Sequence, residues 1–207
     1  RQKLLSDRLG RWIDPDPELD AYEALLAEHG AAITRARSHA TADLGRELRR
    51  HFHAIAAPEL ELSVTYAAAG SSDPEQVIAQ LAAQRRLDAH RKRTGFGPHR
   101  DDMVMTIDGY PARVVASQGQ HRAITLALKT AELSCISRAR GLHPILLLDD
   151  VSSELDAERT AALFHFLATT QSQIFLTTTR RDLIVTPASA AVERRDFEVA
   201  RGVVSAV

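Results

Sequence analysis

Ile145-Leu146-Leu147-Leu148-Asp149-Asp150 is the stretch from which the rest of the chain is read. Four apolar residues followed by two carboxylates fit a buried strand that ends in charge. A fully apolar run of this length suits the central strand of a parallel sheet covered on both faces. In α/β sheets the carboxyl ends of such strands open onto the binding crevice. Successive side chains point to opposite sides of a strand, so two adjacent acids there can do different jobs. Asp149 can hold a Mg²⁺, usually through water, while Asp150 points at an attacking water. The bland alternative is a core strand running into a solvated turn.

The acid pair has the form of a Walker B strand of nucleotide hydrolases, and its surroundings follow the same order. Upstream, Ala116-Ser117-Gln118-Gly119-Gln120 is a small, polar, Gly-containing loop that opens a helix from about His121 to Arg140. Ile124, Leu128, Ala131 and Cys135 keep helical spacing along it, and Gly141 punctuates its end. Such a helix start offers backbone N–H groups and a positive dipole end to an anion. It equally fits an ordinary cap with Ser117 as N-cap residue. Downstream lie Val151-Ser152-Ser153-Glu154-Leu155-Asp156, with Asp156 placed to cap a helix to about Ala168. Gln173 to Thr177 reads as a second buried strand ending in Thr177-Thr178-Thr179. Those hydroxyls suit contact with a phosphate or water, or simply β-branched residues finishing a strand.

Before the helix start, Met103–Ile107, Asp108-Gly109 and Ala112–Val115 read as a hairpin, because Asp-Gly suits a tight type I′ turn. The loop Thr94-Gly95-Phe96-Gly97-Pro98-His99-Arg100-Asp101-Asp102 precedes it. Its polar residues are adjacent, unlike the spaced ligands of metal sites. Asp73 can cap a helix to about Arg91 that ends in a basic run: Arg85, Arg86, Arg91, Lys92 and Arg93, with Asp88 its only acid. That run fits either phosphate contact or a helix end complementing its own dipole. Glu59 to Tyr66 alternates as a strand, and residues 17 to 57 carry helical periodicity with Arg35, His39, Arg46, Arg49 and His53 on one face.

Bulk properties narrow the field. A chain of 207 residues holds one large or two small domains. A net charge of −1 gives no overall push toward nucleic acid, so any DNA contact must come from local clustering. The single cysteine, Cys135, cannot form an internal disulfide, which points to a reducing cytoplasmic compartment. No run reaches membrane-spanning length and no signal peptide is visible, so no membrane is expected. The start at Arg1 rather than Met reads as a piece of a longer protein.

Taken in order, these motifs resemble the heads of ABC-type ATPases, and in detail the RecF family of bacterial recombination mediators. The residues that carry the resemblance are Gly97 to Asp102, Ala116 to Gln120, Leu146 to Val151, Ser153 to Asp156 and Thr177 to Thr179. The implied fold is α/β: the second half of an ABC-type P-loop ATPase head, a parallel sheet flanked by helices, with an α-helical arm. The implied boundaries are 1–93 for the arm, with one strand, and 94–207 for the head. The resemblance implies an ATP- and Mg²⁺-dependent homodimer that binds DNA at single-strand/double-strand junctions. With RecO and RecR as partners, it would help load RecA at gapped DNA. Ser117, Gln118, Gly119 and Gln120 would face the γ-phosphate of ATP held by a second copy. Asp149 would be the Mg²⁺-linked acid and Asp150 the acid that orients water. Ser153, Glu154, Leu155 and Asp156 would form the D-loop at the dimer interface, and Thr178 would stand near a switch position.

The sequence departs from a complete site. No Gly-x4-Gly-Lys-Ser/Thr occurs in these residues, so the Walker A cradle is missing and the chain alone is expected to be inactive. Asp150 stands where transporters use Glu, consistent with a slow, switch-like ATPase in the full-length protein. Two other readings remain: a non-catalytic DNA-binding or protein-docking module, and another SMC- or ABC-like head.

Overall fold

A computed structural model of the chain describes residues 1–8, 15–55, 59–150, 157–168, 170, 172–180, 182, 184 and 193–207. The chain divides into two compact units, Arg1–Arg49 with Glu61–Val115, and Arg50–Leu60 with Ala116–Val207. The position 93/94, where arm was expected to give way to head, lies inside the first unit.

The first unit is built on a short helix α1 (Gln2–Asp7) and most of the long helix α2 (Pro17–Ile55). Against these lie β1 (Leu62–Ala67), α3 (Pro74–Ala83) and α4 (Arg85–Arg91). A 3-10 turn at Pro98–Arg100 leads into β2 (Asp102–Ile107), β3 (Tyr110–Pro111) and the one-turn helix α5 (Ala112–Val115). Leu5, Leu19 and Ala89 form one small core, and Ala27, Val77 and Leu81 another. Asp73 caps α3 by accepting from the Glu75 N–H at 3.0 Å, as its sequence position predicts. The single helix expected from there to Arg91 is instead two, meeting at Gln84.

β1 and β2 pair antiparallel from Leu62↔Ile107 to Ala67↔Asp102. Asp108 and Gly109 both take positive φ, 50° and 81°, which is the hairpin turn that their sequence predicts. The returning strand differs from expectation. Only Tyr110 and Pro111 pair with β2, and Ala112–Val115 turns helical. Pro111 has no N–H to continue the ladder, so pairing ends there.

The second unit holds the sheet that the sequence singled out. Here α6 (Gln118–Arg140) precedes β4 (Leu146–Asp149), α7 (Ala157–Ala168) and β5 (Ile174–Thr177). β4 and β5 pair in parallel from Leu146↔Ile174 to Asp149↔Thr177, with α7 in the crossover between them, as parallel strands require. Leu146, Leu148, Leu163, Phe164, Leu167, Leu126 and Ile55 make its core. Each such side chain contributes roughly 1.5–3 kcal/mol when fully buried.

The expectation that β4 is covered on both faces is not met among the described residues. Leu146 and Leu148 are each 8% exposed, whereas Leu147 is 73% exposed and Ile145 59%. Among the described residues, helices cover one face of β4 and nothing covers the other. The unit also contains the antiparallel pair β6 (Phe197–Ala200) and β7 (Val203–Ala206). Cys135 forms no disulfide. Among the described residues, no helix is long and apolar enough to cross a membrane.

Candidate functional site

Asp149 is the last residue of β4, and its side chain is exposed at the strand's carboxyl end. Thr177, its register partner on β5, donates its hydroxyl to Asp149 Oδ1. The same hydroxyl accepts from the Asp150 N–H at 3.1 Å, and the Thr177 carbonyl accepts from that N–H at 3.1 Å as well. Asp150 lies just past the strand with φ of 44°, a left-handed conformation that Asp tolerates better than most residues. The two acids therefore do not continue a regular strand alternation. The backbone bends at Asp150, and one threonine hydroxyl touches both residues.

The donor set fits a weakly held Mg²⁺. Asp149 offers a hard carboxylate oxygen, Oδ2, beside the one taken by Thr177, and Mg²⁺ typically uses one or two carboxylates plus water and phosphate. Among the described residues no group of three or more His, Cys, Asp or Glu side chains is placed to hold a metal. A cation here would depend on a nucleotide's phosphates for its remaining ligands.

The start of α6 is a complete capping box. Ser117 Oγ accepts from the Gln120 N–H at 3.2 Å, and Gln120 Oε1 accepts from the Ser117 N–H at 2.7 Å. Both side chains are thus occupied by the cap. The N–H groups of Gln118 and Gly119 are left without a partner among the described residues, at the positive end of a 23-residue helix. Arg159 of α7 approaches this turn: a Cβ placed on Gly119 would lie 3.2 Å from its Nη1. A glycine thus lets a guanidinium come close to the first turn of α6.

The remaining expected positions fall as follows. Ser153, Glu154, Leu155 and Asp156 lie outside the described residues. Thr178, the expected switch position, accepts from the Arg180 N–H at 2.9 Å. Within the basic run, Arg86, Arg91, Lys92 and Arg93 are exposed. Arg85 is not: its Nη2 meets Glu23 at 2.6 Å and also Asp20. Those carboxylates, Glu23 foremost, raise the Arg85 pKa further above its ordinary value. Arg1 completes the cluster, at 2.7 Å from both Glu23 and Asp88, with all three side chains at most 3% exposed. The Nε–Nη2 edge of Arg85 is therefore taken up by a buried ion pair, which sets it apart from its exposed neighbours in the run.

The His99-Arg100-Asp101-Asp102 cluster also resolves into parts. The Asp101 side chain is 3% exposed and accepts from the Ala69 N–H at 2.9 Å, the Arg37 guanidinium at 3.0 Å and the Tyr66 hydroxyl. Burial pushes its carboxyl upward, yet the bonds from Tyr66, Ala69 and Arg37 outweigh this and hold it below its ordinary pKa. Burial and the neighbouring Asp101 raise the Tyr66 pKa. His99 and Arg100 stay exposed on the turn that Asp101 anchors.

Sequence reading singled out the Thr177 hydroxyl but not its bonds to the acid pair, and it missed Arg159 and the role of Asp101. For Arg85 there was a local signal: Val77, Leu81 and Arg85 follow one another at four-residue spacing, and all three are buried although a helix break falls between Leu81 and Arg85.

No family model matches the chain. The DNA replication and repair protein RecF of Anaeromyxobacter dehalogenans (strain 2CP-1 / ATCC BAA-258) is 43% identical over 189 residues, covering 87% of this chain and 50% of that protein. RecF of Myxococcus xanthus (strain DK1622) is 39% identical over 194 residues, with 89% and 50% covered. The chain thus spans about half the length of these curated relatives. The solved structure of the recombination mediator protein RecF with ATP, in the RecFOR pathway, matches with a TM-score of 0.76 at 28% identity. That match covers 100% of this chain and 54% of the other. An SMC ATPase, described for its ATP-driven dimerisation, shares the fold at a TM-score of 0.51 and 14% identity. The α/β unit is that of RecF and SMC ATPase heads, and the chain belongs to the RecF family.

Proposed function

We propose that this chain is the C-terminal portion of a RecF-type DNA repair ATPase that closes on DNA as an ATP-dependent dimer. The observation that carries the proposal is the ordered acid pair at the end of β4, Asp149 and Asp150, joined by Thr177. It lies in a chain that matches RecF with ATP along its whole length. ATP supplies the phosphoryl group and Mg²⁺ the charge that neutralises it. Asp149 would hold the hydrated cation through its outer oxygen, and Asp150 would orient the attacking water. The first turn of α6, Ser117 to Gln120, would meet the γ-phosphate bound by a second copy, through the Gln118 and Gly119 N–H groups. Ser153 to Asp156 would line the same interface, with Thr178 near the switch position. Residues 94–207 would carry the head functions and 1–93 the arm.

The Walker A pattern is absent from these 207 residues, so phosphate binding in cis would come from sequence outside them. The face of β4 that carries Leu147, with Ile145 beside it, is suited to packing against the other half of such a head. DNA would be met by Arg86, Arg91, Lys92 and Arg93 through sequence-independent phosphate contacts. RecO and RecR would be partners in loading RecA at gapped DNA in the cytoplasm.

Ser117→Arg in the full-length protein tests the dimer. It costs roughly 1 kcal/mol through loss of the cap and leaves the fold intact. Placing bulk and charge at the interface should nevertheless abolish pairing induced by ATP and Mg²⁺ in sedimentation. Normal dimer formation would refute a signature acting in trans.

A further inference from the structure

Thr177 ends β5 with its side chain exposed, where any β-branched residue would satisfy the strand. Its hydroxyl is nevertheless used twice within the protein. It donates to Asp149 Oδ1 and accepts from the Asp150 N–H at 3.1 Å. A hydroxyl has one proton to give and lone pairs to accept with, so a single Oγ can serve both neighbours at once. The adjacent Thr178 hydroxyl is turned to the Arg180 N–H instead. The two threonines are thus not interchangeable.

We propose that Thr177 is the positioning residue of this site: its hydroxyl orients the Asp149 carboxylate and pins the bend that presents Asp150. The inference rests on the reading of Asp149 and Asp150 given above and deepens it. An exposed carboxylate at a strand end is free to rotate about its χ angles. A charge-assisted bond to Oδ1 fixes the plane of the Asp149 group and leaves Oδ2 as the oxygen available to a hydrated cation. Asp150 has a positive φ of 44°, a conformation that persists where surrounding bonds hold it. One such bond, from the Asp150 N–H, is shared between the carbonyl and the hydroxyl of Thr177. Losing the hydroxyl therefore loosens both acids while leaving their charges in place.

Thr177→Val and Thr177→Ser separate this role from a structural one. Valine keeps the size and β-branching of threonine and removes only the hydroxyl; serine keeps the hydroxyl. In the 207-residue chain, Thr177→Val should speed amide hydrogen exchange at Asp150 by about twofold, the low end of the scale for one net neutral hydrogen bond, because the Thr177 carbonyl branch remains. Exchange at Leu148 and along α6 should stay unchanged, and Thr177→Ser should restore the Asp150 rate. In the full-length protein, Thr177→Val should raise the Mg²⁺ concentration for half-maximal ATP hydrolysis by about tenfold, the order expected when a group that orients a metal ligand is removed. Serine should again restore it. Unchanged exchange at Asp150 in the valine variant, or failure of serine to rescue either measurement, overturns the proposal. Asp149→Asn is the control. If it abolishes hydrolysis while Thr177→Val leaves the Mg²⁺ requirement unchanged, the positioning role alone falls. If Asp149→Asn hydrolyses normally, the ATPase reading falls and with it the role of Thr177 toward a cation.

Discussion

Replacing Asp101 should destabilise the first unit more than almost any other single change at a polar residue. Its carboxylate, 3% exposed, accepts from the Ala69 N–H, the Tyr66 hydroxyl and Arg37. Hydrogen bonds to a charged group contribute about 1.5–3 kcal/mol each. The Arg37 side chain is 50% exposed, so solvent screening limits its share to at most about 1 kcal/mol. Asp101→Ala should therefore cost about 4 kcal/mol and Asp101→Asn about 2 kcal/mol, since Asn keeps one acceptor for Ala69. The pH dependence has a defined sign. The folded carboxyl is held below its ordinary value, so its contribution is complete above the unfolded pKa of about 3.9 and is lost as pH falls through the lower folded value. Urea unfolding followed by far-ultraviolet circular dichroism at pH 7 and pH 3 reads both effects. A cost for Asp101→Ala below about 0.5 kcal/mol, within the range of ordinary surface substitutions, would refute the reasoning. So would a wild-type advantage that does not shrink on acidification.

Arg85→Ala should lower stability by about 3 kcal/mol, because it leaves Glu23 buried with Arg1 as its remaining partner, and should leave DNA affinity of the folded protein unchanged. Equilibrium unfolding and DNA titration on one preparation check the two halves of that statement. Replacing Arg91, Lys92 and Arg93 with Ala should instead weaken DNA binding similarly for all sequences. The salt slope should fall by roughly 0.9 for each phosphate that the protein no longer neutralises. Unchanged affinity and slope would move the DNA surface elsewhere.

What the sequence made legible was local. The β4 strand, the Ser117 cap, the Asp108-Gly109 turn and the Asp73 cap each follow from a few neighbouring residues, and each is present. Pro111 was equally visible, yet its effect on the ladder was outweighed by the apolar look of Ala112–Val115. Burial of β4 on both faces could not be read from the strand, because it depends on which segments lie beside it. Thr177 meets Asp149 across 28 residues and Asp101 meets Tyr66 across 35, and no periodicity announces such pairs. Arg85 shows the opposite failing. The surplus of positive charge in its neighbourhood masked the helical phase that turns this one side chain inward.

The measurement closest to the central claim is ATP turnover by Asp150→Asn in the full-length protein. The substitution preserves size and removes the charge that would orient water. The account predicts retained ATP binding and a loss of hydrolysis on the order of 10²- to 10⁴-fold, the range for a positioned general base. Hydrolysis at the wild-type rate would contradict it.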